Sequence, residues 1–452
     1  MEIIIEVSNH LTIRNASVTL QKEIRQSLTI ANPAYLDNKH MGRWNGKTEQ
    51  FLNYYEITPS GLVVPRGFLP WLISLIKKAG GHIQIIDQTN TLADIDFHFR
   101  GSLKPYQQEA TDKILSRAMG TLSAPTGSGK TVMALAVIAE RKQPTLVIVH
   151  TKELLNQWKD RIHKFLGIPV DEIGIIGNGK KKIGKQISVA LVQSLYKCAF
   201  EVAPHIGFLI VDECHRTPSR TFTEAVSAFD CKYILGLSAT PWRRDRLSKL
   251  IFWYVGNIIH EVDKENLIEN GDVLPAKVIF RETGFTSFAD PQRQYTKMLS
   301  ELTQDPTRNM QIVQDVAREV SNGGGICVVL SDRKNQCSSI QDGLARKGIK
   351  SDLLTGDVPD DERKVIVNNL NAGRIKVLIA TGQLLGEGFD CRGLQTLFLA
   401  TPIRFDGRVL QYLGRVLRPA KGKGKPKVYD YIDKNVGVLK AAAEARRRVY
   451  LG

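Results

Sequence analysis

The chain has 452 residues, of which 42% are hydrophobic and 24% charged, and its formal net charge is +16. This composition excludes a disordered or fibrous chain, and the length predicts two or three domains. Because the chain has no long apolar run and begins with an acidic rather than a basic segment, we expect no membrane span and a cytoplasmic location. The six cysteines form no C-x-x-C pair, which argues against a disulfide framework or a structural zinc site.

Residues 1–97 predict a separate α+β domain, with strands at "EIIIEVS" and "GLVVPRG" and a helix at "WLISLIKKAGG". Its charges balance, so the positive excess lies in the rest of the chain and indicates a polyanionic partner, most often nucleic acid. The segment "KHMGRWNGKTEQFLNYYE" interleaves basic and aromatic side chains. Two interpretations stay open, a surface that grips duplex or branched DNA and the core of a small domain. The side chains concerned are Lys39, Arg43, Trp44, Lys47, Tyr54 and Tyr55.

From about residue 98 onward, short β-branched runs alternate with longer helical periods, a pattern typical of parallel sheets covered by helices. The runs "TLVIVH", "ISVALVQS", "FLIVDE" and "YILGLSAT" predict a first α/β domain over residues 98–262. A connection with one strand and one helix is expected over 263–305. The runs "GICVVLS", "SDLLTG", "KVLIAT", "TLFLAT" and "KVYDYID" predict a second α/β domain over 306–452, with a basic C-terminal tail.

The segment "APTGSGKT" (124–131) precedes a helical run and fits a phosphate-binding loop. Gly127 and Gly129 allow close backbone approach, so that N–H groups at the helix start can point at phosphate. Lys130 is expected to reach the β- and γ-phosphates of ATP, and Thr131 to hold Mg²⁺. Thr126 and Ser128 complete the loop.

The segment "IVDECHRTPS" (210–219) ends a buried strand in acids and permits three interpretations. It could hold a thiol nucleophile with its base, half of a metal site, or the magnesium and water end of a nucleotide site. The phosphate loop about 80 residues earlier favours the third, with Asp212 on Mg²⁺ and Glu213 orienting or deprotonating water. Cys214 is then expected to be a small packing residue.

Three weaker signals flank these two motifs. Tyr106 and Gln107, at the start of a helix, could stack on adenine and bond its edge. In "QYLGRVLRP", Gln411, Arg415 and Arg418 share one helical face, and both arginines could reach the ATP site if the two α/β domains face each other. The turn "ATGQLLGEGFD" could bind backbone phosphate or sense the nucleotide state, and it contains Gly388 and Asp390.

In order along the chain, "LKPYQ", "APTGSGKT", "HTKELLNQW", "DECH", "LSAT", "VLSDRK", "LLTGD", "TGQLLGEGFD" and "QYLGRVLRP" resemble the motifs of superfamily 2 helicases and translocases. Within the superfamily, the chain most resembles the XPB-like and phage UvsW-like DNA motors. The resemblance implies two RecA-like domains, ATP and Mg²⁺ as cofactors, and ATP-driven movement on DNA, including forked or branched DNA in repair, recombination or replication.

The resemblance also implies roles for individual residues. Gln107 would read adenine, Lys130 and Thr131 would bind phosphate and Mg²⁺, and Glu213 would be the catalytic base. His215 would couple the ATP site to the "SAT" segment, which is Ser238, Ala239 and Thr240. Arg415 and Arg418 would be arginine fingers, and Gly388 and Asp390 would link the nucleotide state to nucleic acid. Contacts to the nucleic-acid backbone would come from Thr151, Lys152, Gln193, Ser194 and Thr381.

One motif departs from the family pattern. After "SAT", XPB-like proteins often carry an Arg-Glu-Asp triplet tied to strand separation, whereas this chain has Arg243, Arg244 and Asp245. The second arginine favours a phosphate contact instead. Three alternatives to a DNA motor stay open: a passive nucleic-acid binder with an inactive ATP site, an RNA helicase, and the motor subunit of a restriction or defence complex. We expect a monomer.

Overall fold

The computed structural model describes residues 2–216, 220–239, 248–291, 293–323, 325–381, 391, 393–402 and 424–451. The chain folds into two units, each with its own core. The first comprises Met1–Ala124 and Gly129–Val262, and the second comprises Pro125–Ser128 and Asp263–Gly452. Within the described residues, no helix is both long and apolar enough to cross a membrane.

The N-terminal module, residues 2–87, is a mixed five-stranded sheet with helices, and its strand order is β5-β6-β2-β1-β7. Only β7 runs parallel to its neighbour β1. Its elements are β1 (Glu2–Val7), β2 (His10–Arg14), α1 (Val18–Ser27), β3 (Thr29–Ala31), α2 (Pro33–His40), β4 (Phe51–Asn53), β5 (Glu56–Thr58), β6 (Gly61–Pro65), α3 (Leu69–Lys78) and β7 (His82–Asp87). Strands β3 and β4 form a separate pair.

The rest of the first unit is an eight-stranded sheet of order β11-β10-β12-β9-β13-β14-β8-β15, parallel except for the β10–β11 pair. Its elements are α4 (Pro105–Leu115), β8 (Met119–Ser123), α5 (Lys130–Arg141), β9 (Thr145–Val149), α6 (Lys152–Leu166), β10 (Gly174–Gly177), β11 (Lys180–Lys182), β12 (Ile187–Leu191), α7 (Val192–Leu195), α8 (Ala199–Val202), β13 (Phe208–Asp212), α9 (Arg220–Val226), β14 (Tyr233–Ser238), α10 (Ser248–Val255) and β15 (Ile258–Glu261). Every residue of β9 and β13 is buried, as expected of central parallel strands covered on both faces.

The N-terminal module packs directly against the part of the first unit that contains this sheet. Leu250 and Trp253 of α10 belong to the same hydrophobic cluster as the module's own core. Arg66 donates hydrogen bonds to the carbonyls of Cys231 and Lys232. A Cβ on Gly67 would lie 2.2 Å from the carbonyl oxygen of Phe252, so only glycine permits this approach of two backbones.

The second unit contains a parallel six-stranded sheet of order β16-β21-β20-β17-β19-β18. Its elements are α11 (Lys264–Glu269), β16 (Lys277–Glu282), α12 (Tyr295–Gln304), α13 (Pro306–Ser321), β17 (Ile326–Ser331), α14 (Lys334–Ala345), β18 (Ser351–Leu354), α15 (Asp360–Asn371), β19 (Val377–Thr381), β20 (Leu394–Leu399), β21 (Lys427–Ile432) and α16 (Gly437–Leu451). Two parallel α/β sheets behind a small α+β module confirm the predicted fold class. The segment 263–305, predicted as a connection, differs because its strand β16 is an edge strand of this sheet.

A fully buried ion pair lies in the second unit. Arg308 Nε, on α13, donates to Asp433 Oδ1 at 2.8 Å, and the two side chains are 1% and 0% exposed. The same guanidinium donates to the carbonyl of Ala400, and Thr283 Oγ1 donates to Asp433. These bonds satisfy the charges and fix α13 against the ends of β20 and β21.

Candidate functional site

The phosphate-loop residues lie where β8 gives way to α5. Gly129 has φ +87°, in the left-handed region that favours glycine, and it immediately precedes the first residue of α5, Lys130. A Cβ at Gly129 would lie 2.4 Å from Gln107 Nε2, so a larger residue in this turn would displace the end of that side chain. The N-terminus of a 12-residue helix presents its first N–H groups and positive dipole end, which suits a phosphate ligand. Lys130 Nζ donates to the carbonyl of Ala124 at 2.8 Å.

Tyr106 and Gln107 lie in the first turn of α4. Gln107 is buried, and its side-chain oxygen accepts a hydrogen bond from the backbone N–H of Lys104 at 3.0 Å, which satisfies one N–H group at the start of α4. Its amide nitrogen is 3.4 Å from the Tyr106 hydroxyl. The structure therefore brings Gln107 against the phosphate loop, and its expected reading of adenine stays a prediction.

The acid pair lies at the carboxyl end of β13. Asp212 is its last residue and is buried, with Oδ2 accepting from Trp158 Nε1 at 2.8 Å and Oδ1 accepting from the Glu213 backbone N–H at 2.9 Å. Burial, and then the charge of Glu213, raises the pKa of Asp212, whereas the Trp158 hydrogen bond and the Lys130 charge act in the opposite direction. A buried carboxylate held in this way is the ligand type that Mg²⁺ prefers, and a bound cation would offset its desolvation.

Glu213 adopts φ +50°, which is unusual for a residue with a side chain. This conformation turns the chain out of β13, and one side-chain oxygen lies 3.3 Å from His215 Nδ1. His215 Nδ1 also lies 3.0 Å from the hydroxyl of Ser238, the last residue of β14. His215 therefore bridges the ends of two neighbouring strands, while the coupling role expected of it and of Ala239 stays a prediction.

Cys214 is fully buried in the hydrophobic core of the first parallel sheet. Burial raises the pKa of its thiol well above the usual range, and the neighbouring carboxylates act in the same direction. A thiol nucleophile requires a lowered pKa, so the structure argues against that interpretation of "DECH".

Four predicted nucleic-acid contacts also lie at the carboxyl ends of the parallel strands. They follow β9 and β12, which are on the other side of β13 from β8 and the phosphate loop. Strands β9 and β12 are neighbours, and Thr151 and Lys152 follow one while Gln193 and Ser194 follow the other. Gln193 Nε2 donates to the carbonyl of His150 at 3.4 Å, which joins the two loops. Thr151 Oγ1 accepts from the backbone N–H of Leu154 and caps α6, so this hydroxyl has a structural partner.

In the N-terminal module, the basic and aromatic residues divide into two groups. Lys39, Arg43 and Lys47 are exposed, and Trp44 is 91% exposed. Tyr54 instead packs on Trp253 with ring centroids 5.6 Å apart, and Tyr55 packs on the same core. The two tyrosines are therefore half-buried against the core, and the first group is the more exposed one.

Thr381 is the last residue of β19, beside Ser331 at the end of β17. The remaining predicted site residues lie outside the described residues. They are Thr240, Arg243, Arg244, Gly388, Asp390, Gln411, Arg415 and Arg418.

Sequence reasoning missed Trp158. It lies on the buried face of α6, seven residues after the cap Thr151, and it is 1% exposed. The available signal was chemical, because a buried indole N–H requires an acceptor. No spacing in the sequence identifies Asp212, 54 residues later, as that acceptor.

Comparison with known proteins gives two family matches. Residues 100–243 match the model described as Type III restriction enzyme, res subunit, and residues 309–420 match Helicase conserved C-terminal domain, together more than half of the chain. A putative ATP-dependent RNA helicase of Acanthamoeba polyphaga mimivirus is 27% identical over 78% of this chain and 69% of its own length. The DNA 3′-5′ translocase XPB2 of Sulfurisphaera tokodaii is 38% identical over 36% of this chain and 37% of its own length.

Among solved structures, the Hef helicase domain of Pyrococcus furiosus matches with a TM-score of 0.53 and 13% identity. The match covers 76% of this chain and 98% of that domain, and it supports the fold alone.

Proposed function

The chain belongs to superfamily 2 of the helicases and translocases, in the group that includes the XPB-like proteins, and from this premise we propose that it couples ATP hydrolysis to movement along DNA and remodels forked or branched DNA. The family hydrolyses ATP and binds nucleic acid. The proposal rests on one observation, that the phosphate loop, the acid pair and four predicted nucleic-acid contacts all lie at the carboxyl ends of the strands of one parallel sheet. There the phosphate-loop side and the nucleic-acid side meet at β13, and Trp158 of α6 bonds to Asp212.

The residues at these strand ends fit a nucleotide with Mg²⁺. Lys130 and the first N–H groups of α5 would hold phosphate oxygens, and Thr131 and Asp212 would hold the cation, which neutralises phosphate charge when bound. Glu213 would orient the attacking water and accept its proton. Arg415 and Arg418 are the proposed cations for the charge that develops on the transferred phosphoryl group.

Contacts to nucleic acid would go mainly to phosphate and sugar, which suits tracking without sequence preference. The net charge of +16 predicts affinity that falls steeply with salt. We assign the exposed cluster of Lys39, Arg43 and Trp44 to branched DNA, because a solvent-exposed indole beside cations can stack on an unpaired base.

The deciding experiment measures ATPase stimulation by single-stranded, duplex, forked and four-way DNA and by matching RNA. We expect forked and four-way DNA to stimulate most, and Glu213→Gln to abolish turnover on every substrate. Deleting the module would expose Leu250 and Trp253, so the branch contact is tested with Trp44→Ala. Phe288→Ala, at another exposed aromatic residue, is the matched control.

The assay also separates the alternatives. Trp44→Ala should lower stimulation by branched DNA and spare that by linear DNA, and equal loss on both would contradict the assignment. An RNA helicase is a second candidate function, because the mimivirus relative is named as one. Stronger stimulation of ATPase activity by RNA than by DNA would establish it. The description of the first family model keeps a restriction motor as a third, and a co-purifying nuclease chain would favour it.

A further inference from the structure

A cavity of about 520 Å³ lies between the N-terminal module and the first parallel sheet, apart from the site above. Its apolar wall includes Val7 and Ile85 from the module and Met119 and Ile258 from the sheet. Met119 and Ile258 are the first residues of β8 and β15, so the cavity lies at the amino ends of these strands. The phosphate loop follows the opposite end of β8, and an occupant of the cavity would therefore not compete with ATP.

Two sheet edges border this cavity. Strand β7 ends the order of the five-stranded sheet and β15 ends that of the eight-stranded sheet, as far as the described residues show. Gln88 N–H donates to the carbonyl of Val7 at 2.8 Å. Because backbone groups alternate in direction along a strand, those of Ile85 and Asp87 face away from β1 and are available to another strand.

These edges lack the usual protection against pairing. Proteins commonly guard an edge strand with lysine or proline, and the far edge of the eight-stranded sheet, β11, consists of three lysines. By contrast, β7 reads "HIQIID" and β15 reads "IIHE". Ile85 is 47% exposed in β7. Such an edge is a template for an added strand.

The charges around the cavity favour an acidic occupant. Arg66, Arg117 and Lys232 line it, against a single carboxylate, Asp87. That carboxylate already accepts hydrogen bonds from the backbone N–H and the hydroxyl of Thr89. The cavity therefore has a net positive lining around an apolar wall.

We propose that this groove binds an extended acidic segment of a partner protein, which adds to β7 as a sixth strand of the module's sheet. Alternate apolar side chains of the segment fill the wall at Ile85 and Ile258, and its carboxylates meet Arg117 and Lys232. The occupant would contact the module and the parallel sheet together. Nucleic acid fits less well, because the apolar wall offers no partner to a hydrated phosphate chain.

The test uses the full chain and a fluorescein-labelled seven-residue peptide of alternating Asp and Ile, with a Lys and Ile peptide for comparison. Fluorescence anisotropy should detect binding of the acidic peptide alone. Ile85→Pro removes the outward N–H without touching the bonds to β1, and it should weaken binding at least tenfold. Ile85→Val keeps the N–H and should bind like the wild type. Ile57→Lys, on the opposite edge strand β5, is the surface control.

The double variant Arg117→Glu/Lys232→Glu should also weaken binding of the acidic peptide at least tenfold. If Ile85→Pro lowers the melting temperature, this double variant tests the proposal in its place. The proposal is overturned if the acidic peptide fails to bind, if the basic peptide binds equally well, or if duplex DNA displaces the acidic peptide. It is also overturned if the charge-reversed variant binds like the wild type. ATPase activity of each variant reports separately on the motor, so these outcomes do not depend on the proposed function.

Discussion

Replacing Trp158 by Phe removes one hydrogen bond to the candidate magnesium ligand and keeps an aromatic ring in the core. The indole N–H donates to Asp212 Oδ2 at 2.8 Å, and both side chains are buried. Without that donor the carboxylate loses an orienting bond. The bond favours the ionised form, so its loss moves the pKa of Asp212 further upward. A carboxylate that is more often protonated and less well oriented binds Mg²⁺ less tightly.

The size of the effect follows from the type of bond. A hydrogen bond to a charged group contributes about 1.5–3 kcal/mol, and loss of a partner behind a metal ligand typically costs about 10–100-fold in metal affinity or activity. We therefore expect Trp158→Phe to raise the Mg²⁺ concentration for half-maximal ATPase by at least ~10-fold. Turnover at saturating Mg²⁺ should fall less, because Lys130 and Glu213 are unchanged.

Two measurements make this prediction decisive. ATPase is titrated with Mg²⁺ at saturating ATP, and the melting temperature with ATP is followed over the same Mg²⁺ range. Trp253→Phe is the matched control, since that ring is buried in the module core and packs on Tyr54. If Trp158→Phe keeps the wild-type Mg²⁺ dependence in both assays, the bond to Asp212 does not position the metal ligand. A fall in turnover with unchanged Mg²⁺ dependence would refute the reasoning equally.

Three further changes test other parts of the structure. Asp212→Asn should abolish ATPase yet stabilise the unliganded protein at pH 8 by about 1 kcal/mol, read as a melting temperature higher by ~2–4 °C. That gain should shrink towards pH 5, because the pKa of Asp212 is raised and wild-type stability therefore increases as the acid takes up its proton; a gain independent of pH would contradict it. Asp433→Asn leaves the buried Arg308 charge uncompensated and should cost about 3–5 kcal/mol in denaturant unfolding of the second unit, and a loss below 1 kcal/mol would argue against the pair. Gly67→Ala forces a Cβ onto the Phe252 carbonyl, so proteolysis should release the N-terminal module faster than in the wild type, and unchanged proteolysis would show that the backbone yields.

The sequence predicted the sheets because their signal is local. Buried runs such as "TLVIV" and "FLIVD" lie in the middle of a covered parallel sheet, where both faces must be apolar. The positions of Asp212 at the end of a strand and of Gly129 at the start of a helix were predicted from equally local signals, the apolar run before one and the helical run after the other. The strand β16 was not expected in the second sheet, because its membership depends on pairing with β21, some 150 residues later, and no local pattern encodes a partner at that distance.

The sequence also did not predict which side chains contact each other. The Trp158 to Asp212 bond and the packing of Tyr54 on Trp253 depend on how helices lie over the sheets. For Lys39, Arg43, Trp44, Tyr54 and Tyr55, one sequence segment contained both exposed residues and residues packed against the core. Composition could not separate them, because basic and aromatic residues serve equally on a binding surface and around a core.

The contacts of Arg66 and Gly67 have a consequence for how this chain can evolve. Arg66 bonds to the carbonyls of Cys231 and Lys232, and Gly67 lies on the carbonyl of Phe252, so these two residues contact main chain, whereas Leu250 and Trp253 pack on the module through their side chains. Substitutions at positions 231, 232 and 252 leave those carbonyls in place. Lys232, whose side chain is partly exposed, can therefore change without loss of its main-chain contact to Arg66, while the tolerance for change at Arg66 and Gly67 is narrow. A library of variants selected for folding should show this asymmetry directly.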